Sequence, residues 1–433
     1  MRIGHVIRAE RVRQEMKQVV LAKGICTPSY LSKIERNLID PSEEVVELLM
    51  DRLGMDPGKF TQPAQDKTEQ EFLKMLKDSY RNVITKRDKD YTRQQLDMLL
   101  QENPIFEDQS IYYTYLLIVL HFRLRLEEDF LLINKELIAL EEQVNNFNRY
   151  QQFLFLLCKG LTYYSNRNIK KAVEVFDTIV DMLDKIDLEN WELADIYYVL
   201  GVGYTANNQL VLSSEYIAKA LAFYRESLSM KRLMDCYILI GIINKQSKKY
   251  QEAIDAYLKA QRICDDFNLD GDKGIIYHNI GSLHSSMGNS WEAIDYYTKS
   301  ISDKYESKSG QLITIFCMVS EYSKLEEIQK LNKWCDIGIK LYHQLNDENL
   351  ESYYHQLLFF QSLHSKEGLS DEVAKNTINY FKSIQDYRQT YKYCIALAQW
   401  YYSKRKYKLS SIYFSESIRY SYINNNINRW EDI

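Results

Sequence analysis

Residues 24–36 carry side chains whose types and spacing suit contact with DNA. In this run, Gly-Ile-Cys-Thr-Pro-Ser-Tyr-Leu-Ser-Lys-Ile-Glu-Arg, the Thr can cap a helix whose first turn accepts the Pro. Leu31 and Ile34 are three residues apart, so they share one face of the helix and point inward. The polar side chains are left outside, where they can read base edges or hold phosphates. We expect base contacts from Thr27, Ser29 and Lys33, an apolar contact from Pro28, and phosphate contacts from Gln18, Tyr30 and Arg36.

The residues around this run predict a small five-helix domain that would position it. An apolar stripe indicates the first helix: Ile3, Val6, Ile7 and Val12. A short second helix, residues 18–23, turns at Gly24, and the run above supplies the third. Asp-Pro-Ser-Glu at 40–43 is a capping signal, with Pro41 at the first helical position, for a fourth helix that ends at Gly54. A fifth helix could follow Asp56 briefly.

The distribution of charge agrees with contact to DNA at one end of the chain. Residues 1–36 have a net charge of +5, whereas the whole chain has −5, so residues 37–433 sum to −10. A basic head on an acidic body suits binding of phosphates by the head. The alternative is a small helical domain that binds protein.

Composition argues against membrane and secreted classes. The sequence shows neither an apolar stretch of membrane length nor a signal peptide at its start. Its seven cysteines are scattered without a Cys-x-x-Cys pair, which is typical of reduced core residues. We therefore expect a cytoplasmic protein with no membrane partner.

Catalytic motifs are not evident. The seven histidines form no His-x-x-x-His pair, and His278 and His284 fall on different helix faces. There is no Gly-rich phosphate loop, because Gly201 and Gly203 lie inside a repeat helix and are more simply explained by close packing. Acidic pairs such as Glu326-Glu327 fit solvated helix faces. The sequence predicts no enzyme, no cofactor and no metal site.

A period of about 40 residues runs through the middle of the chain. It aligns on four glycines: Gly160, Gly201, Gly241 and Gly281. Small residues stand twelve positions later: Ala172, Ser213, Ala253 and Ala293. Bulky residues stand sixteen positions later: Phe176, Ile217, Tyr257 and Tyr297. Small residues let the two helices of a hairpin approach, and an aromatic residue fills the gap to the next hairpin.

Weaker copies extend the repeat in both directions, so the chain is predicted to be all-α. They are residues 72–100, 111–147, 359–381 and 393–420, with Ala374 at a small position and Phe414 at an aromatic one. The total is eight or nine hairpins. We predict a helix-turn-helix domain at 1–60, a linker at 61–70 and a repeat solenoid at 71–433.

These motifs resemble known families. The head is similar to the Xre/Cro-type helix-turn-helix domain at Gln18, Leu21, Ala22, Leu31, Ser32, Ile34, Glu35 and Pro41-Ser42, although Asn37 replaces a common glycine. The body resembles the tetratricopeptide repeat. Together they resemble the RRNPP family of cytoplasmic peptide-pheromone receptors. The resemblance implies a homodimer that controls transcription at double-stranded DNA and binds a short signalling peptide in the solenoid.

In such solenoids the first helix of each hairpin lines the concave surface, which selects candidate peptide-binding residues. They are Asp195, Tyr198, Thr205, Asp235, Lys245, His278 and Asn279. Asn279 is polar where its equivalents are apolar, and an amide can pair with a peptide backbone. Asp195 and Asp235 could hold a peptide's amino terminus or a basic side chain. Alternatively, Asn279 bonds a neighbouring helix, the two Asp residues cap their helices, and the tyrosines belong to the core.

Three functions remain open from the sequence. The first is a transcription factor gated by a peptide. The second is a regulator that sequesters a signalling protein through its repeats. The third is a constitutive repressor whose repeats only dimerise.

Overall fold

The computed structural model describes residues 3–14, 16–36, 38–55, 69–102, 106, 108–303 and 307–425. Within these residues the regular structure is entirely helical. The described part of the head contains four helices: α1 (Gly4–Arg13), α2 (Gln18–Ala22), α3 (Pro28–Glu35) and α4 (Glu43–Arg52). The fifth head helix predicted after Asp56 lies outside the described residues.

Nine helical hairpins follow the head in the described residues, which confirms the predicted architecture. Their first and second helices are α5 (Glu69–Lys86) and α6 (Lys89–Glu102), α7 (Gln109–Arg125) and α8 (Phe130–Glu141), α9 (Arg149–Ser165) and α10 (Ile169–Val180), α11 (Asn190–Ala206) and α12 (Leu210–Glu226), α13 (Met230–Gln246) and α14 (Tyr250–Asp266), α15 (Lys273–Ser286) and α16 (Ser290–Ser302), α17 (Lys308–Lys324) and α18 (Ile328–Leu345), α19 (Glu351–Leu363) and α20 (Asp371–Ser383), α21 (Tyr387–Ser403) and α22 (Tyr407–Asn424).

The head follows its predicted pattern with one correction. Leu21, Leu31 and Ile34 are fully buried in its core. Pro28 occupies the first turn of α3, behind the cap at Thr27. However, α4 begins at Glu43 with Ser42 as its N-cap, so Pro41 lies outside the helix and not at its first position.

The repeat glycines confirm the predicted register of the hairpins. A Cβ atom added to any of the four would lie within 3.0 Å of the bulky side chain sixteen residues later: Phe176, Ile217, Tyr257 and Tyr297. The small residues twelve positions later are fully buried: Ala172, Ser213, Ala253 and Ala293. Ala374 is also fully buried as predicted, but Phe414 is 37% exposed and does not fill an aromatic core position.

The turn inside each hairpin repeats with the same period. Seven residues after each repeat glycine, the backbone adopts a positive φ: Arg167 at 57°, Asn208 at 61°, Lys248 at 59° and Gly288 at 82°. This left-handed residue ends the first helix and reverses the chain. The period of about 40 residues, against about 34 in a usual tetratricopeptide repeat, is explained partly by long helices. The helices α11, α12, α13 and α14 have 17 residues each.

The chain divides into two compact units, Met1–Leu239 and Ile240–Ile433, with the division inside α13. The first unit has a continuous apolar core that extends from Phe72 to Tyr216. The second contains one apolar cluster from Ala293 to Leu357 and another from Phe359 to Tyr401. The domain limits at residues 60 and 70 stay predictions, because residues 56–68 lie outside the described ranges.

Candidate functional sites

The outer face of α3 presents most of the predicted DNA-binding side chains together. Six of them are exposed: Thr27, Pro28, Ser29, Tyr30, Lys33 and Arg36. The hydroxyl of Thr27 accepts a hydrogen bond from the backbone N–H of Tyr30 at 3.2 Å, so the predicted cap is formed. The helix can therefore offer a polar and basic surface to a ligand without disturbing the core beneath it.

Gln18 is half-buried and already engaged in a network that sequence reasoning missed. Its Nε2 donates to Oε2 of Glu35 at 2.7 Å. Arg11 donates to the same carboxylate, from Nε to Oε1 at 2.6 Å and from its terminal nitrogen to Oε2 at 3.0 Å. Glu35, 1% exposed, thus joins α1, α2 and α3. The spacing of Glu35 could have indicated this buried position, because Glu35 lies four residues after Leu31 on the inner face of α3.

Arg52 fixes the turn that precedes α3. Its guanidinium donates to the carbonyl oxygen of Leu21 at 3.1 Å and to that of Lys23. Gly24 follows with φ +76°, a conformation that glycine adopts without strain. A side chain from α4 therefore holds the end of α2 and, through it, the direction in which α3 starts.

In the first unit, Asp195 is the centre of a buried ion-pair cluster. It lies inside α11 and is 3% exposed, so it does not cap its helix. Arg125 donates to both carboxylate oxygens at 3.1 and 2.9 Å, and Arg232 donates to Oδ1 at 2.6 Å. Burial alone would raise the pKa of Asp195, but the two positive charges outweigh it and hold that pKa below its ordinary value. Two guanidinium groups thus share one carboxylate.

A buried histidine extends this cluster. Arg125 donates from Nε to Nε2 of His121 at 3.2 Å, and Nδ1 of His121 lies 2.9 Å from the hydroxyl of Tyr80. Because the Arg nitrogen can only donate, Nε2 accepts and the imidazole proton lies on Nδ1. Burial and the neighbouring Arg125 charge lower the pKa of His121 to about 3, so the ring is neutral.

A cavity of about 190 Å³ opens beside the cluster. Its charged and polar lining includes Arg125, Asp195, Tyr198 and Arg232. Its apolar lining comes from Leu124, Leu161, Phe176, Val199 and Val202, with Tyr164 beside them. Such a mixture of apolar wall and a few polar groups is typical of a ligand pocket.

The other candidates in the first unit take different places. Asp235 is 4% exposed and forms an ion pair with Arg87 at 2.5 Å. Tyr198 lines the cavity, and the guanidinium of Arg232 lies 5.4 Å from its ring centre. Thr205 is buried inside its hairpin, where its hydroxyl donates to the carbonyl of Gly201 at 2.8 Å. The structure therefore brings Asp195 and Tyr198 to one pocket and places Thr205 in the packing between helices.

The candidates in the second unit lie among half-buried polar groups of α13, α15 and α17. Lys245 donates to the hydroxyl of Ser282 at 2.7 Å. Nδ1 of His278 lies 2.9 Å from the hydroxyl of Thr314. Asn279 donates to the carbonyl of Ile275, one turn earlier in α15, at 2.9 Å, and not to a neighbouring helix. Burial and the charge of Lys245 lower the pKa of His278 to about 4.

The described residues offer neither a metal site nor a membrane-spanning helix. No three His, Cys, Asp or Glu side chains among them lie close enough together to hold a metal ion. None of the described helices is both long enough and apolar enough to cross a membrane.

Comparison with known proteins agrees with both halves of the fold. A helix-turn-helix family model matches residues 7–60, and a tetratricopeptide repeat model matches residues 234–304. A solved Rap protein complexed with competence and sporulation factor has a TM-score of 0.69 at 15% identity, covering 81% of this chain and 98% of its own. The structure of NprR in complex with its cognate peptide NprX has a TM-score of 0.63 at 21% identity, covering 80% and 98%. At these identities the two structures show the shared fold.

A curated relative shows the family. The chain is 30% identical over 423 residues to the transcriptional activator NprA of Geobacillus stearothermophilus. The alignment covers 94% of this chain and 100% of NprA. This protein therefore belongs to the NprA family of helix-turn-helix and tetratricopeptide-repeat regulators, the RRNPP-type group that its sequence resembles.

Proposed function

We propose that this protein is a transcriptional regulator that binds DNA through α3 and is controlled by a short signalling peptide bound in its repeats. The exposed face of α3 carries the DNA-binding part of the proposal, because it gathers Ser29, Lys33 and Arg36 on the basic end of an acidic chain. The name of NprA, a transcriptional activator, supports this part. The complex of NprR with its peptide supports the other.

Two substitutions on α3 test the DNA-binding part. Lys33→Ala should relax the preference for one sequence, because we propose that this exposed amine reads a base edge. Arg36→Ala should weaken binding to all sequences and reduce the slope of log affinity against log salt by about one. Fluorescence anisotropy over a range of salt, with duplexes selected from a random pool, measures both effects. Lys404→Ala, an exposed lysine after α21, is the control for loss of charge. Unchanged binding by both α3 variants would exclude this face.

We further propose that a homodimer binds a two-fold symmetric DNA site. A single recognition helix contacts too few base pairs for useful specificity, and two heads separated by about 34 Å, or a multiple, would match successive half-sites. A duplex with one half-site should then bind roughly 100-fold or more weakly than one with two. Equal affinity for both duplexes would argue for a monomeric reader.

The cavity beside Asp195 supports the peptide-binding part. Its apolar wall suits an aliphatic side chain, and Asp195, Tyr198 and the two guanidinium groups offer polar contacts. A basic peptide group at Asp195 would compete with Arg125 and Arg232. Considered by itself, the second unit offers its own set of polar groups for a peptide, at Lys245, His278 and Asn279.

Calorimetry with peptides from the native culture medium tests this part. Val202→Phe, which fills the cavity, should reduce the heat of peptide binding. The double variant Asp195→Ala/Asp235→Ala and the single variant Asn279→Ala should each reduce it as well. Leu212→Phe, at a position 40% exposed on α12, is the control for added bulk. Thermal melts identify any variant that fails to fold. Full binding by Val202→Phe would place the peptide elsewhere, and no binding by the wild type would favour a constitutive repressor.

We also propose that the protein acts by binding and not by catalysis, and that it works in the cytoplasm. NprA is named as a transcriptional activator, and NprR was solved in complex with its cognate peptide. All seven cysteines are free thiols, buried or half-buried, which suits a reducing compartment. Fractionation of the native cells and mass measurement of the intact thiols would test the assignment.

A further inference from the structure

We propose that Lys245 binds a carboxylate of the signalling peptide. The inference rests on the proposed peptide-receptor function and adds to it the chemical group that the second unit recognises. Two sources share this chemistry: the carboxyl end of the peptide and an Asp or Glu side chain within it.

Lys245 is a half-buried ammonium group that lacks an opposite charge. Its Nζ donates a hydrogen bond to the hydroxyl of Ser282 at 2.7 Å. Within the described part of the chain, this neutral hydroxyl is the hydrogen-bond partner of the ammonium group. None of the acidic side chains described there forms an ion pair with it. Burial lowers the pKa of Lys245, as expected where no carboxylate compensates the lost hydration.

Two titratable side chains that interact electrostatically with Lys245, His278 and Cys317, are neutral. The hydroxyl of Thr314 donates its single proton to the carbonyl of Gly310 at 3.0 Å, so it must accept from Nδ1–H of His278. Nε2 of His278 is then an unprotonated acceptor, in keeping with a pKa of about 4. Burial raises the pKa of the Cys317 thiol, which lies near Lys245, to about 11.

Glu321 in α17 is a buried carboxylate of the second unit, but its oxygens already accept hydrogen bonds from other donors. Glu321, 1% exposed, accepts hydrogen bonds from Ser285 and Ser290, each at 2.6 Å, and from Lys324 at 2.5 Å. It cannot serve Lys245 without giving up these donors. A ligand carboxylate would supply the missing charge, and charge-assisted hydrogen bonds of this kind are the strong ones.

Three pools of short synthetic peptides separate the two sources. The first pool has a free carboxyl end and no Asp or Glu. The second is amidated and contains Asp and Glu, and the third is amidated and lacks both. Full-length protein is incubated with each pool, separated by size exclusion, and the retained peptides are identified by mass spectrometry and titrated individually.

We expect the wild type to retain peptides from the first or second pool and not from the third. Lys245→Met keeps the length of the stem but removes the charge, and should weaken the retained peptides by about tenfold or more. Lys245→Arg should retain most of the affinity. Lys249→Met, an exposed lysine at the start of α14, should bind like the wild type.

Retention of the third pool, or undiminished binding by a folded Lys245→Met protein, would overturn the inference while leaving a peptide receptor. Retention of no peptide by the wild type would instead contradict the proposed receptor function, and the inference would fall with it. Melting curves of each variant show whether a loss of binding reflects unfolding.

Discussion

Two buried carboxylates organise the charged interior of the first unit. Glu35 gathers Arg11 and Gln18 in the head, and Asp195 gathers Arg125 and Arg232 in the repeats. A buried ion pair adds little stability relative to apolar packing, but removal of one partner leaves an uncompensated charge. These clusters therefore determine which arrangement of helices is tolerated, and each gives a clear substitution test.

Glu35→Gln should destabilise the head. The amide has nearly the same shape, but it cannot balance the charge of Arg11, whose side chain is 13% exposed. We expect a loss of about 3 kcal/mol in the free energy of unfolding of the head. Hydrogen exchange of residues 3–55 in the full-length protein should accelerate. Glu47→Gln, exposed on α4, should leave the exchange unchanged, and equal rates in both variants would contradict the role of the network.

His121 should make the first unit sensitive to acid. The pKa of His121 is about 3 in the fold against an ordinary value of 6.5, so the unfolded chain binds the proton first. The contribution of His121 to the free energy of unfolding is fully present above pH 6.5. It is lost as the pH decreases toward 3, by on the order of several kcal/mol. Urea unfolding followed by tryptophan fluorescence reports this, since Trp191 lies 5.3 Å from Tyr80, the partner of His121.

A matched pair of variants isolates this titration. His121→Gln should reduce the dependence of unfolding free energy on pH, whereas His343→Gln, exposed at the end of α18, should preserve it. The same slope in His121→Gln and the wild type would show that other groups dominate the acid response.

At the scale of elements, the hairpins depend on glycines that admit a bulky neighbour. Gly241→Ala should destabilise the second unit, because the added methyl group would lie within 3.0 Å of the ring of Tyr257, which is fully buried. Overpacking costs about 1–3 kcal/mol. The higher helix propensity of alanine offsets about 1 kcal/mol of this cost. Gly271→Ala, with open space around the added atom, is the control. Thermal melts that do not separate these variants would contradict the packing register.

The sequence was most informative where its signals are local or periodic. The cap at Thr27, the buried face at Leu31 and the small position at Ala253 were all predictable, because each depends on neighbours within one helix or one repeat. The position of Pro41 was wrong, since a Pro-Ser pair allows either residue to precede the helix. The aromatic core position predicted for Phe414 was also wrong, because within the described residues no further hairpin follows the last one to cover this side chain.

The partners of the candidate site residues could not be predicted. Arg125 lies 70 residues before Asp195, and Arg232 lies 37 residues after it. Arg232 also donates to the carbonyl of Ile84, 148 residues away. No period or cap relates these positions, because the contacts arise only when α5, α7, α11 and α13 are assembled. Whether a peptide enters this cluster therefore stays a prediction.

At the scale of the whole molecule, a regulator must let its repeats affect its head. Arg8 in α1 and Glu142 after α8 form an ion pair at 3.5 Å, and both side chains are partly exposed. A surface pair of this kind contributes only about 0–1 kcal/mol. The contact can therefore be exchanged for another at little cost, which suits a head whose position responds to a ligand.

Coupling between peptide and DNA should be reciprocal. A peptide can change DNA binding only if its affinity differs between the DNA-bound and free forms of the protein. If the peptide changes the affinity for operator DNA by a given factor, the DNA must change the affinity for the peptide by the same factor, whichever direction the effect takes. Titration of DNA at zero and saturating peptide, and of peptide at zero and saturating DNA, closes the cycle. A peptide whose binding is identical with and without operator would show that the repeats bind it without controlling α3.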